Sequence, residues 1–363
     1  MGAHLSRLIL SNIRNLAETD LALAPKLNVF VGANGSGKTS LLEAIHVLGV
    51  GRSFRARSMQ QVISFGAQDC LVRAKVNPNA DQPHSGVWLG VARDLAGGVQ
   101  YRVGEKVEKS SAELTKKLPL QLIDVNSPLL LEGGPNYRRQ FVDWGVFHVE
   151  HDFLNNWRLM QRALEQRNAA LKKRQQPPAV WDELYIKYSL AVDAARLRYI
   201  AKFSEIFTAM LRELLDITNI ELRYFRGWSE DKDLFAVLSS TLSLDLALGY
   251  TNRGPHRAEL EVLIGGRAVK SVLSRGQLKI FVCVMLLART KLLQTAQSGV
   301  FLIDDLHAEL DKRSCSIFVS AIKALGCQAF ITGVEADVLN ALLQGCAAQM
   351  FHVEQGRIEE YTG

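Results

Sequence analysis

Residues 31–40 read VGANGSGKTS, and from Gly32 to Thr39 they satisfy the phosphate-loop spacing G-x-x-x-x-G-K-[ST]. That spacing does its chemistry only between a strand and a helix, so it restricts the architecture more than any other stretch. Gly32, Gly35 and Gly37 permit backbone angles that a Cβ resists. The loop can then turn the N–H groups of Ala33, Asn34, Ser36 and their neighbours onto phosphate oxygens. Lys38 would reach the outer phosphates as a point charge, Thr39 would ligate Mg²⁺, and Ser40 ends the nucleotide-binding stretch. The flanks agree. KLNVFV (26–31) is a short β-rich apolar run. KTSLLEAIHVL (38–48) sets Leu41, Leu42, Ile45 and Leu48 on a helical period. An anion at that helix start meets free N–H groups and the favourable end of the dipole.

A phosphate loop needs a second half. VFLIDD (300–305) is an apolar run that delivers Asp304 to a strand tip, where it can hold Mg²⁺. Asp305 follows, placed to orient or deprotonate an attacking water. LSRGQLK (273–279) enters a long apolar helix, and Ser274 stands where that helix start has unpaired N–H groups. ELD (309–311) closes the series with Asp311.

The pattern of the chain changes twice. The first third reads as strands around the phosphate loop, including a hairpin over 86–108. From 151 to 215 two helical runs flank QQPP (175–178), which predicts a helical hairpin of unequal arms. The last third returns to strand and helix alternation. The expected organisation is an α/β head formed by 1–130 and 250–363, with a mainly helical lobe, 131–249, inserted between.

Bulk properties narrow the class. A net charge of +6 permits a polyanionic partner. The longest apolar run, IFVCVMLLA (280–288), is too short to span a bilayer, so no membrane association is expected. Five scattered cysteines without C-x-x-C read as isolated thiols, and the expected location is the cytoplasm.

The order phosphate loop, S-x-G-Q, strand-Asp-Asp and E-L-D resembles the ATP-binding-cassette ATPases, in their chromosome-maintenance and repair branch. SNIRNL (11–16), GRSFRARS (51–58), GGPNYRRQFVDW (133–144) and TNRGPHRAEL (251–260) resemble the RecF family within it. Ile13 and Leu16 stand where that family carries aromatics. The resemblance implies an ABC-type P-loop head with a mixed sheet, ATP and Mg²⁺ as cofactors, and an ATP-dependent homodimer. Ser274 would then contact the γ-phosphate of the partner's ATP, and Asp311 would line the dimer interface. Gln121, in PLQLI, would sense metal and water, and Thr332 stands where transporter relatives carry histidine.

The resemblance further implies DNA (duplex, gapped or junction) as ligand, RecR- and RecO-type proteins as partners, slow ATP hydrolysis and help in loading recombinase. Arg52, Arg55, Arg57, Arg138 and Arg139 are the candidate DNA contacts. An ATP-gated clamp with negligible turnover is the alternative. A transporter ATPase subunit would carry L-S-G-G-Q where this chain has L-S-R-G-Q.

Overall fold

A computed structural model describes residues 4–77, 86–293, 299–336, 339 and 347–361. The chain forms two compact units, Met1–Ser127 with Lys279–Gly363, and Pro128–Leu278.

The first unit contains two six-stranded sheets. The central one runs Arg357–Glu360, Ala348–Glu354, Leu27–Val31, Gln328–Gly333, Val300–Ile303, Leu120–Ile123 from edge to edge. It is parallel except for its Arg357–Glu360 edge, hence mixed. Its strands are short apolar runs because both faces are covered, and all five residues of Leu27–Val31 are buried. The second sheet is wholly antiparallel: Thr19–Ala22, His4–Ser11, Asp69–Asn77, Val87–Asp94, Val99–Val103, Lys106–Glu108. Its long strands alternate buried and exposed residues, as a sheet with one wet face must. Thus most strands of the first third build this second sheet, and only Leu27–Val31 and Leu120–Ile123 join the central one.

The helix Lys38–Val50 packs on strands of both sheets, and ten of its thirteen residues are buried. Its apolar side chains share one core with Leu8, Val72, Phe30 and Phe330. The loop at its start is therefore anchored on a rigid body.

The second unit is a helical hairpin, Phe153–Lys172 and Ala179–Leu215, with helices Pro135–Val149 and Leu234–Leu248 and a small antiparallel sheet. Glu259–Ile264 pairs with Ile220–Phe225, so residues 250–278 belong to this unit and the expected boundary at 249/250 falls inside it. Buried ion pairs fasten it. Arg167, fully buried, donates to Asp182, Asp245 and Thr251, each within 2.8 Å. Arg196 donates to Asp143 and to the Pro255 carbonyl. Gly254 (φ 132°) packs where a Cβ would lie 1.8 Å from Tyr185 Oη, which explains a glycine in TNRGPHR.

Cys70, Cys283, Cys315 and Cys327 are buried free thiols; Cys346 lies outside the described residues. Among the described residues no helix is long and apolar enough to cross a membrane.

Candidate nucleotide site

Parallel register brings the chemistry to one edge. Ile303 lies opposite Ile331 in one neighbour and Ile123 in the other, and Val31 lies opposite Gly333. The phosphate loop, Asp304–Asp305 and Thr332 therefore leave the sheet at the carboxyl ends of adjacent strands, where open α/β sheets place ligands. A cavity of about 560 Å³ opens there, lined by Lys38, Thr39, Ser40, Asp304, Asp305 and Thr332, and also by Arg14, Asn15 and Arg55.

The loop glycines have two different reasons. Gly35 and Gly37 sit at φ 81° and 121°, where side chains are disfavoured. Gly32 is required for close approach, since a Cβ there would lie 2.1 Å from the Val353 carbonyl oxygen. Lys38 Nζ donates to the carbonyls of Gly32 (2.7 Å) and Ala33 (2.9 Å), folded back along the loop. Burial pulls its pKa below the ordinary lysine value, and the nearby Asp305 and Asp304 oppose that shift.

The residues present fit a nucleotide phosphate. No side chain caps the Lys38–Val50 helix at Gly37, and Gly37, Lys38, Thr39 and Ser40 at its start line the cavity, so an anion there would meet the helix's first N–H groups. Ser36 Oγ is buried with no hydrogen-bond partner among the described residues. Thr39 Oγ1 donates to Asp304 Oδ1 (3.0 Å), and Thr332 Oγ1 donates to the same oxygen (2.9 Å). One hydroxyl and one carboxylate suit Mg²⁺, which keeps waters and takes its remaining ligands from phosphates. Among the described residues no cluster of three or more His, Cys, Asp or Glu could hold a metal alone.

Asp305 adopts the left-handed region (φ 51°, ψ 65°), rare and costly for a non-glycine residue. Its N–H donates to Thr332 Oγ1 (2.8 Å), so one threonine fixes both acids. Asp305 lines the cavity.

SNIRNL contributes directly. Arg14 (φ 53°) donates twice to buried Glu43, at 2.8 and 2.9 Å, and these bonds hold its guanidinium pKa above the ordinary value. Asn15 donates to the Gly35 carbonyl and accepts from Ser40. Neither role follows from the local pattern, although the motif itself was visible.

Several expected residues stand elsewhere. Gln121 does not line the cavity. It lies opposite Phe301, three residues before Asp304 in register, or roughly 10 Å down the strand. It is fully buried, and its Oε1 accepts from both Nε and Nη2 of Arg289. The expected role in sensing metal and water is therefore corrected to an internal pairing. Arg138, expected to contact DNA, is corrected to an internal pairing, and Arg139 lies beside it. Arg138 binds Glu259 bidentately and donates to the Gly133 carbonyl, and Arg139 donates to the Ala258 carbonyl. The Arg138 guanidinium is engaged in fastening the second unit, and Arg139 holds one carbonyl there and is half-buried. Arg52, Arg55 and Arg57 are all exposed, and Arg55 lines the nucleotide cavity.

Ser274 is exposed and forms a reciprocal cap: its Oγ accepts from Gln277 N–H while Gln277 Oε1 accepts from Ser274 N–H. The S-R-G-Q surface thus lies open at the start of the Arg275–Leu293 helix. Asp311 caps the Lys312–Ala324 helix through Ser314 N–H, which lowers its pKa.

A mixed sheet with phosphate loop, paired strand-tip acids and an exposed S-x-G-Q helix start defines an ATPase head of the chromosome-maintenance class. The family described as the RecF/RecN/SMC N-terminal domain matches residues 4–359. DNA replication and repair protein RecF of Stutzerimonas stutzeri (strain A1501) is 42% identical, with 99% of this chain and 98% of that one covered. The RecF protein of Pseudomonas syringae pv. tomato is 41% identical, with 98% of each covered. This chain belongs to the RecF family of DNA replication and repair proteins. Its fold superposes on the recombination mediator RecF-ATPrS of the RecFOR pathway with a TM-score of 0.87 at 23% identity, covering 99% of each chain. An Smc head bound to the C-winged helix domain of ScpA follows at 0.59 and 16% identity, covering 99% of this chain and 97% of that one.

Proposed function

We propose that this chain binds ATP with Mg²⁺, pairs with a second copy in that state, and closes on duplex, gapped or junction DNA during recombinational repair and replication restart. Hydrolysis is slow and releases the DNA; in the closed state RecR- and RecO-type partners and recombinase loading follow. One observation carries the reading: Lys38, Thr39, Asp304, Asp305 and Thr332 converge on a single cavity at the sheet edge.

The roles follow from position. Lys38 would exchange the Gly32 and Ala33 carbonyls for phosphate oxygens. Thr39 and Asp304 would hold Mg²⁺, which supplies charge neutralisation on the phosphates. Asp305, fixed by Thr332, would accept a proton from, or orient, the attacking water. Asp305 is one methylene shorter than a glutamate, so it holds that water less closely, consistent with slow turnover. One phosphate loop and one exposed S-R-G-Q segment per chain favour a two-fold dimer that completes two sites, with Ser274 and Asp311 acting across it.

Phosphate release with and without duplex DNA tests the proposal. Slow, DNA-stimulated release that Lys38→Met abolishes is expected. Release unaffected by Lys38→Met would refute the site, and binding without any release would replace turnover by an ATP-gated clamp.

A further inference from the structure

Glu43 lies four residues after Thr39, on the same face of the phosphate-loop helix, and its side chain is fully buried. A carboxylate in such surroundings needs strong partners. It has three. Arg14 donates to it twice (2.8 and 2.9 Å), and Ser53 Oγ donates to Oε1. Arg55 Nη1 lies 3.8 Å from Oε2, beyond hydrogen-bond distance. The two arginines are held very differently. Arg14 is bidentate and 26% exposed; Arg55 is a loose ion pair and 47% exposed. Ser53 Oγ also accepts from the N–H groups of Arg55 and Ala56, so the turn is fixed and only the Arg55 side chain is loosely held. Both arginines line the nucleotide cavity.

We propose that Glu43 is a positioning residue of the nucleotide site that locks Arg14 in place and holds Arg55 in reserve for the nucleotide's phosphates. When phosphate enters, Arg55 exchanges its weak pair for the anion. Arg14 and Ser53 keep the buried carboxylate compensated, so the exchange strands no charge. Thr39 and Glu43 share one rigid helix, which fixes the distance Arg55 has to travel. This inference rests on reading the cavity as an ATP site.

The test is a double-mutant cycle on ATP affinity by calorimetry with Mg-ATP, using Arg55→Ala in wild-type, Glu43→Gln and Glu43→Asp chains. Glu43→Asp retracts the carboxylate by one methylene but keeps its charge for Arg14, so it serves if Glu43→Gln does not fold. With the competing carboxylate removed or withdrawn, Arg55→Ala should cost up to about fivefold more affinity than in wild type, the strength of a half-exposed ion pair. A merely structural Glu43 would give equal costs in every background, and that result overturns the proposal. Lys38→Met separates the two ideas. If wild type binds ATP and Lys38→Met does not, absent coupling removes only the role of Glu43. If wild type fails to bind ATP, both readings fall.

Discussion

Arg138→Ala should weaken the second unit and leave DNA affinity nearly intact. The guanidinium makes three charge-assisted bonds of 2.7–2.8 Å, two to Glu259 and one to the Gly133 carbonyl. The pair is only 13% and 20% exposed. Breaking a fully buried pair costs about 3–5 kcal/mol and an exposed one about 0–1, so roughly 2–3 kcal/mol is expected here. Glu259 would retain only the Leu260 N–H as a donor among the bonds described. Urea denaturation measures the loss, and Glu259→Ala should add little to it because the two changes remove one shared interaction. DNA affinity against salt measures the rival role, since each lost phosphate contact lowers the slope by about 0.9. An unchanged denaturation curve with weaker binding and a shallower slope would refute the reasoning.

Three further outcomes follow from the same geometry. Burial pulls His256 down to about 4, whereas unfolded histidine titrates near 6.5. The unfolded chain therefore binds more protons between those values, and stability falls as pH drops from 7 to 5, by about 1–2 kcal/mol for this group; denaturation of His256→Gln should show a flatter pH dependence. Asp305→Asn should retain ATP binding while slowing hydrolysis and trapping dimers on DNA, and turnover at the wild-type rate would place the water elsewhere. Ser274→Arg should block hydrolysis while the single chain still binds ATP, because Lys38, Thr39 and Asp304 lie within one molecule; normal ATPase and ATP-dependent dimerisation in this variant would exclude Ser274 from the partner's site.

The site was legible where chemistry depends on short spacing. G-x-x-x-x-G-K-T and the apolar run ending in Asp304–Asp305 each carry their meaning within ten residues, and parallel register brings them together. Pairing over long separations was not legible. Nothing near Arg138 announces Glu259, 121 residues away, so two adjacent arginines read as a free basic patch. Gln121 misled for a different reason. The short motif places it on the right strand, but only register shows it about three residues below the tip. The lobe boundary failed likewise, because the strand after TNRGPHR pairs back to Ile220–Phe225 rather than joining the central sheet. Arg14 was visible in SNIRNL, but its work depends on Glu43, which helical periodicity marks only as one more position on a buried helix.

Sedimentation velocity of the wild-type chain with Mg-ATP, with Mg-ADP and without nucleotide, beside Lys38→Met, tests the central claim that ATP in this cavity joins two copies. The account predicts a dimer with ATP alone, and a folded Lys38→Met chain that stays monomeric throughout. The same sedimentation in all three conditions, or ATP-dependent dimers of Lys38→Met, would contradict it.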